Sequence, residues 1–454
     1  MGSQVTTTSA AAKPTRRRRA LLTATGAAAV AALLALTACS TGSPSGSKNA
    51  SGVSDNGSMT SGPTDPPGSG DPTGSGTPQD GSALAEITAS PAGHSVNPTT
   101  PVTVSVAGGT LTSVSMHNAS GKRVTGELAA DGTSWHTTEV LGYGKTYTIT
   151  AHAVNAAGTP STKTRRFTTL TPSNQTMPYI DDLYGAGIKN GGKYGVAMVI
   201  NVVFDEQITH KAAAERALKV TTTPHVDGSW YWTDNSHVHW RPEHYYQPGT
   251  KVTVDADVYG VRVGDGLYGQ SDVHRTFTIG REQKTIAYDT APKSVNKVKV
   301  YRSGQLVRTM NTSMGEHDGI TVNGNYINFY TLDGTYTVLG FENPANMCSD
   351  SYGLPVNAPG GYACEDIYWA TKISTDGIYL HELDTTIWDQ NHGRDVSHGC
   401  LNLNHDNAKW FYNHSLVGDP VVIHGAKGAP KLQLWQGGDW SVPWSKWLAG
   451  SALT

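Results

Sequence analysis

Between residues 83 and 279, apolar and polar residues alternate in short runs. In "PVTVSVAGG" (101–109) and "KTYTITAHAV" (145–154) the apolar residues fall at every second position, the period of a strand with one buried face. Turn-forming stretches such as "AADGT" and "AAGTP" separate the runs. The pattern then repeats. Trp135 stands nine residues before Gly144, and Trp240 nine before Gly249; "GKTYTITAHAV" aligns with "GTKVTVDADVY", and "RRFTTL" with "HRTFTI". Two tandem all-β units are predicted, at 83–170 and 171–279.

Short strands at this spacing suit small β-sandwiches of immunoglobulin type. Neither unit contains a cysteine, so each must be held by packing alone. From about residue 280 the character changes. "QKTIAYD" reads as a strand, and the following "KVKVYRSGQLVRTM" as a hairpin turned at "RSGQ". Further strands follow at "YTVLGF", "GIYLHEL" and "PVVIHG". One helix is strongly signalled: Asn404 caps it, Ala408, Phe411, Tyr412 and Ser415 share a face, and Gly418 stops it. The expected fold is therefore mainly β: two sandwiches, a β-rich domain at 280–425 with a short helix, and a Trp-rich segment at 426–454.

The first 82 residues carry no such pattern. Arg16 to Arg19 precede the apolar run "ALLTATGAAAVAALLAL", which ends in small residues before Cys39. That is the grammar of an export signal, and "LTAC" resembles the lipobox of bacterial lipoproteins, in which the cysteine becomes a lipidated N-terminus. Residues 1–39 are read as signal peptide with lipobox. Residues 40–82, Ser, Gly, Pro, Thr and Asp with little to bury, are read as a flexible tether standing the rest off the membrane. An uncleaved anchor is the alternative, but the run is short for a membrane span.

Removing residues 1–38 takes five positive charges and no negative ones, moving the formal net charge from −3 to −8. An acidic mature chain is a poor partner for nucleic acid. The histidines of "HVHWRPEH" (His237, His239, His244) share a strand, but no carboxylate or cysteine completes a recognisable metal site, and none is expected.

Four cysteines remain to be placed. With Cys39 lipidated, Cys348 and Cys364, close together in a Gly- and Pro-rich loop, are expected to pair, leaving Cys400 free. A free thiol outside the cell needs a reason, and reaction is the economical one. To attack a carbonyl it requires a base, for which His381 and His398 both qualify, and donors for the oxyanion. Gly399 lets the chain curve closely, so the amides of His398, Gly399 and Cys400 could converge on one oxygen. An inert buried cysteine in a strand-to-helix turn remains open on these grounds alone.

His381, followed after fifteen residues by "SHGCLN" (397–402), resembles the signature of the L,D-transpeptidase catalytic domain, the YkuD fold. "TSMG", "VNGNYI", the loop "YGLPVNAPGGY" and the closing "GGDWSVPWSKWLAGSA" are also similar to actinobacterial members, which carry Ig-like domains before the catalytic one. In those proteins the Trp-rich segment packs against the catalytic domain. The resemblance implies a peptidoglycan enzyme. Cys400 attacks the third residue of a stem tetrapeptide and expels D-alanine, and the side-chain amine of an acceptor stem resolves the thioester. His381 is implied as base, oriented by a backbone carbonyl, with His398, Gly399 and Cys400 forming the oxyanion hole. Tyr352, Tyr362 and Met347 correspond to a flap over the site, with Tyr362 as an additional oxyanion donor. Asp376, Gly377, Ser397 and Asn402 correspond to substrate-contacting positions. Carbapenem β-lactams are implied inhibitors, the membrane a partner through the lipid, and no cofactor is implied.

A sortase would require a "TLxTC"-like stretch and a following Arg, which are absent; papain-like hydrolases place Cys before His. A non-catalytic wall-binding lipoprotein would have no need of both Cys400 and His381.

Overall fold

The computed structural model describes residues 83–454, so the expectations for the signal, Cys39 and the tether lie outside the described residues. The sequence repeat is a structural repeat. In the first sandwich one sheet runs Glu86–Ser90, Thr103–Ala107, Ser134–Thr137, Gly126–Leu128, and the other Gly93–Val96, Pro160–Thr169, Thr146–Asn155, Gly109–Asn118. The second sandwich repeats this order with Pro178–Asp181, Ile200–Phe204, His237–Pro242, Gly228–Trp232 facing Gly192–Tyr194, Val273–Ile279, Lys251–Ala256, Leu218–Thr223. The repeated tryptophans do the same job in both. Each lies flat over a glycine of the next strand, and a Cβ on Gly126 or Gly228 would come within 2.1 Å of the Trp135 or Trp240 ring. A larger residue at either position would push the indole out of the core.

The β-rich domain is built on two main sheets, with two two-stranded hairpins beside them. The larger orders Gln305–Asn311, Lys297–Arg302, Gln283–Tyr288, Pro420–His424 and Gly334–Thr337. The expected hairpin turn is there, with Ser303 and Gly304 both at positive φ, the geometry of a type I′ turn. The smaller sheet orders Gly340–Glu342, Ala370–Lys372, Tyr379–Glu382 and Leu401–Leu403, the last two parallel. Between the sheets lie Val298, Val300, Tyr336, Leu380, Leu401, Leu403 and Phe411. Phe411 belongs to the predicted helix, His405–His414, whose first turn is capped by Asn404 accepting from the Asn407 amide at 3.0 Å. The helix ends at Ser415, short of Gly418. Three shorter helices, Lys211–Arg216, Ile387–His392 and Trp444–Leu448, carried too few turns to show a period.

The Trp-rich segment packs against the β-rich domain, as the resemblance implied, and against the second sandwich as well. It touches the β-rich domain, with Ser441 Oγ accepting from the Thr335 amide at 2.8 Å, but its tryptophans anchor mainly on the second sandwich. Trp447 donates to the Ser229 carbonyl at 2.9 Å and Trp440 to that of Ala197 at 2.8 Å. His239 pairs with buried Asp439 at 2.7 Å, and His237 with Asp234, which gives two of the three clustered histidines a structural occupation.

Arg241, 2% exposed, lies 4.5–5.2 Å from the rings of Trp440, Trp444 and Trp447 and donates to the carbonyls of Asp439, Pro242 and Val442. Arg241→Leu keeps bulk but strips three hydrogen bonds and the cation–π contacts. It is expected to cost about 2–4 kcal/mol and to free the C-terminal segment, read as a lower Tm and faster proteolysis after residue 426. An unchanged Tm would contradict this account of how the segment is held.

Candidate active site

The parallel pairing of Tyr379–Glu382 with Leu401–Leu403 determines which side chains meet. Leu380 lies beside Leu401 and His381 beside Asn402. Side chains alternate along a strand, so the leucines point into the core while Tyr379, His381, Cys400 and Asn402 rise together from the other face. They line a cavity of about 870 Å³, which is also lined by Met347, Tyr352, Tyr362, Asp376, Gly377, Ser397 and His398. All the expected catalytic and substrate-contacting residues but Gly399 line this one space.

His381 is 5% exposed, and its Nδ1 lies 2.9 Å from the backbone carbonyl oxygen of Glu382. A carbonyl can only accept, so Nδ1 carries the hydrogen and Nε2 keeps its lone pair. Burial disfavours the imidazolium and pushes the His381 pKa down to about 4. The Cys400 thiol is pushed up to about 11, chiefly by burial; a Tyr379 backbone hydrogen bond pulls it down and the Asp376 charge adds to the rise. Its sulfur lies 3.6 Å from the Gly377 carbonyl oxygen. The resting pair is therefore thiol and neutral imidazole.

The "SHGC" turn is held by a closed set of hydrogen bonds. Ser397 Oγ accepts from the Gly399 amide at 3.1 Å and donates to the Cys400 carbonyl at 2.6 Å, while Thr331 Oγ1 donates to the Gly399 carbonyl at 2.9 Å. Gly399 sits at φ +129°, and a Cβ there would come within 2.6 Å of Ile378. This corrects one expectation, the place of Gly399 in the oxyanion hole, and gives Ser397 a structural role beside its place in the cavity wall. The Gly399 amide is already committed to Ser397 and is not an oxyanion donor in this arrangement; among the described residues the amides of His398 and Cys400 have no acceptor. Ser397 clamps the turn, with its hydroxyl turned inward. Asn402 is the opposite case: at 1% exposure, neither atom of its side-chain amide has a partner among the described residues.

His398 turns away from the role of base. Its ring packs edge-on to Phe329 at 4.4 Å and near Tyr362 and Tyr352 at 5.6 and 6.0 Å, with a backbone hydrogen bond to Gly360. It is the floor on which the flap rests. The flap is a hairpin of Ala345–Met347 with Glu365–Ile367, tied at its base by Ser349 Oγ donating to the Tyr362 carbonyl and accepting from its amide. Cys348 and Cys364 are disulfide-bonded within it, and Cys400 is free. Closing a loop of this size stabilises by about 3 kcal/mol in the chain-entropy model. Thiol counting on unfolded, unreduced mature protein is expected to find one reactive thiol, mapped to Cys400; three would refute the pairing.

Several site residues escaped sequence reading. Ser374 and Gln436 donate to the expected Asp376 at 2.5 and 2.6 Å, so the C-terminal segment braces the site. Beneath the turn, His317 Nε2 lies 3.0 Å from both oxygens of Asp289 and 3.2 Å from Asp395, which in turn accepts from the Met314 amide at 2.6 Å. Burial and Asp395 push Asp289 up to about 6. Lys372 and Trp435 also line the cavity. None belongs to a recognisable spacing; only Asp395, two residues before Ser397, stood close enough to the motif to be noticed.

Comparison with known proteins gives the family. Residues 93–262 match the bacterial Ig domain family and residues 289–423 the L,D-transpeptidase catalytic domain. L,D-transpeptidase 2 of Mycobacterium tuberculosis is 40% identical over 371 residues, 81% of this chain and 85% of that protein. L,D-transpeptidase 5 of the same species is 33% identical over 79% of this chain and 74% of that protein. The crystal structure of L,D-transpeptidase 3 from M. tuberculosis in complex with a faropenem-derived adduct aligns with a TM-score of 0.41 and 27% identity, over 54% of this chain and 97% of that one. With an Ig-like region, a His381–Cys400 site on one sheet face and a relative alike over most of its length, the chain belongs to the L,D-transpeptidases, the peptidoglycan cross-linking enzymes.

Proposed function

We propose that Cys400 carries the acyl group in a two-step transfer between peptidoglycan stems. The observation that supports this best is the buried, Nδ1-protonated imidazole of His381 sharing one strand face and one cavity with the free thiol. His381 Nε2 takes the thiol proton as sulfur attacks the carbonyl of the third residue of a stem tetrapeptide. The amides of His398 and Cys400 hold the oxyanion, with Tyr362 beside them. Collapse breaks the peptide bond, and the same proton passes to the departing D-alanine amine. The side-chain amine of an acceptor stem then attacks the thioester, losing a proton to His381; the C–S bond breaks, the Cys400 thiolate takes that proton back, and a cross-link between two third residues is left. Asn402, with donor and acceptor both idle, suits a peptide group of the bound stem.

The same chemistry opens a strained β-lactam to a stable thioester, so carbapenems fit as inhibitors. Lipidation of Cys39 would anchor the chain at the outer face of the membrane, with the tether carrying the catalytic domain toward the wall. Incubating the purified mature chain with disaccharide-tetrapeptides should yield cross-linked dimers by mass spectrometry. With a carbapenem, the intact mass should rise by one drug mass, and not in Cys400→Ser. Absence of both products from the wild-type chain would sink the reading.

A further inference from the structure

Lys372 is a cation built into the wall of the cavity, and nothing assigned so far uses it. It pairs with Tyr379 on one side and Gly340 on the other, and Tyr379 is the neighbour of Cys400. Opposed residues share a face, so Lys372, Tyr379 and Cys400 form one file across the sheet, with two strand spacings, about 10 Å, between its ends. Gly340 ends the file without a side chain, and Tyr184 of the second sandwich fills the space: a Cβ on Gly340 would stand 3.3 Å from its ring. The Lys372 Nζ lies 4.3 Å from the Tyr184 ring centroid and 5.3 Å from that of Tyr379. Both tyrosine hydroxyls donate to one oxygen of Glu342, at 3.2 and 3.0 Å, which braces the two rings around the ammonium.

Lys372 is 9% exposed, yet no carboxylate lies within 4.0 Å of its ammonium among the described residues. Two aromatic faces compensate a buried cation only in part; an anion is the usual partner. The remaining open side faces the cavity. A stem lying across this face carries a carboxylate one or two residues from the attacked carbonyl, on the order of 4–7 Å away.

We propose that Lys372, held between Tyr184 of the second sandwich and Tyr379, binds a carboxylate of the donor stem and so positions its third residue over Cys400. The proposal rests on the transpeptidase reading and adds that the Ig-like region contributes a wall of the substrate site. Two carboxylates share the required chemistry: that of the terminal D-alanine, and a side-chain carboxylate where the third residue is a diamino diacid.

Calorimetry on the full mature chain tests it, in a Cys400→Ala background so that binding is read without turnover. Three tetrapeptide donors are compared: both carboxylates free, the D-alanine amidated, and the third residue's side chain amidated. Lys372→Gln is expected to weaken the free donor about tenfold, Lys372→Arg to restore most of the loss, and Tyr184→Leu to give an intermediate loss. Amidating the recognised carboxylate should weaken binding to the background chain by a similar factor and abolish the effect of Lys372→Gln, which also identifies the carboxylate. An equal loss on all three donors, no loss on any, or no donor binding would overturn the proposal. Failure of the transpeptidase reading shows differently: donors bind, but the chain with Cys400 intact forms no thioester.

Discussion

His381→Ala is expected to slow thioester formation by about a thousandfold, whereas His398→Ala retains a measurable rate. Both histidines are near Cys400 in the cavity, and sequence adjacency would favour His398. The geometry reverses that preference. His381 has a fixed tautomer, set by the Glu382 carbonyl, and a free Nε2 on the nucleophile's face. His398 spends its ring on Phe329, Tyr352, Tyr362 and Gly360. Its loss should loosen the flap and raise KM for the stem more than it lowers kcat, since its backbone amide, the proposed oxyanion donor, survives substitution. Rapid-quench mass spectrometry of the acyl-enzyme separates the two variants. The reverse order of effects would overturn the assignment.

The second large effect is a divergence between two pH profiles. With the thiol pushed up to about 11, alkylation of Cys400 by neutral iodoacetamide should climb about tenfold per pH unit through neutrality, because the thiolate alone reacts. Acylation by a stem peptide should behave differently. Its base is the neutral imidazole, already present above a pKa of about 4, so the rate should be flat near neutrality and fall only as acid protonates His381. The sign follows from burial disfavouring charge on each group: the histidine is kept neutral down into acid, the cysteine up into alkali. Alkylation that is already maximal at pH 6 would mean a resting thiolate–imidazolium pair, contrary to this arrangement.

Much of the molecule was legible in the chain itself, and the reason is local. Strand alternation, the Ser-Gly turn after Arg302, the Asn404 cap and the Trp-to-Gly spacing after Trp135 and Trp240 are each dictated within a dozen residues by backbone sterics or side-chain periodicity. The Cys348–Cys364 pair followed from counting and proximity. The nucleophile and its base were legible only through the resemblance of "SHGCLN" and the His381 spacing to a known family; the residues alone left His381 and His398 equal candidates, and the parallel strand pair that brings His381 beside Asn402 had no signature of its own.

What tertiary structure alone decided lies between residues far apart. The Gly399 amide turned out to be held by Ser397, a matter of which hydrogen bond a tight turn closes; residue type cannot show that. The Trp-rich segment also ties down the second sandwich, because Arg241, two hundred residues earlier, presents a buried cation to its indoles. Lys372 and Tyr184 carry no motif and no period, and they meet only because Gly340 leaves a gap that another domain can fill. Sequence pattern records what each element buries; which buried faces share a cavity depends on how whole domains pack, and that interaction has no local signature.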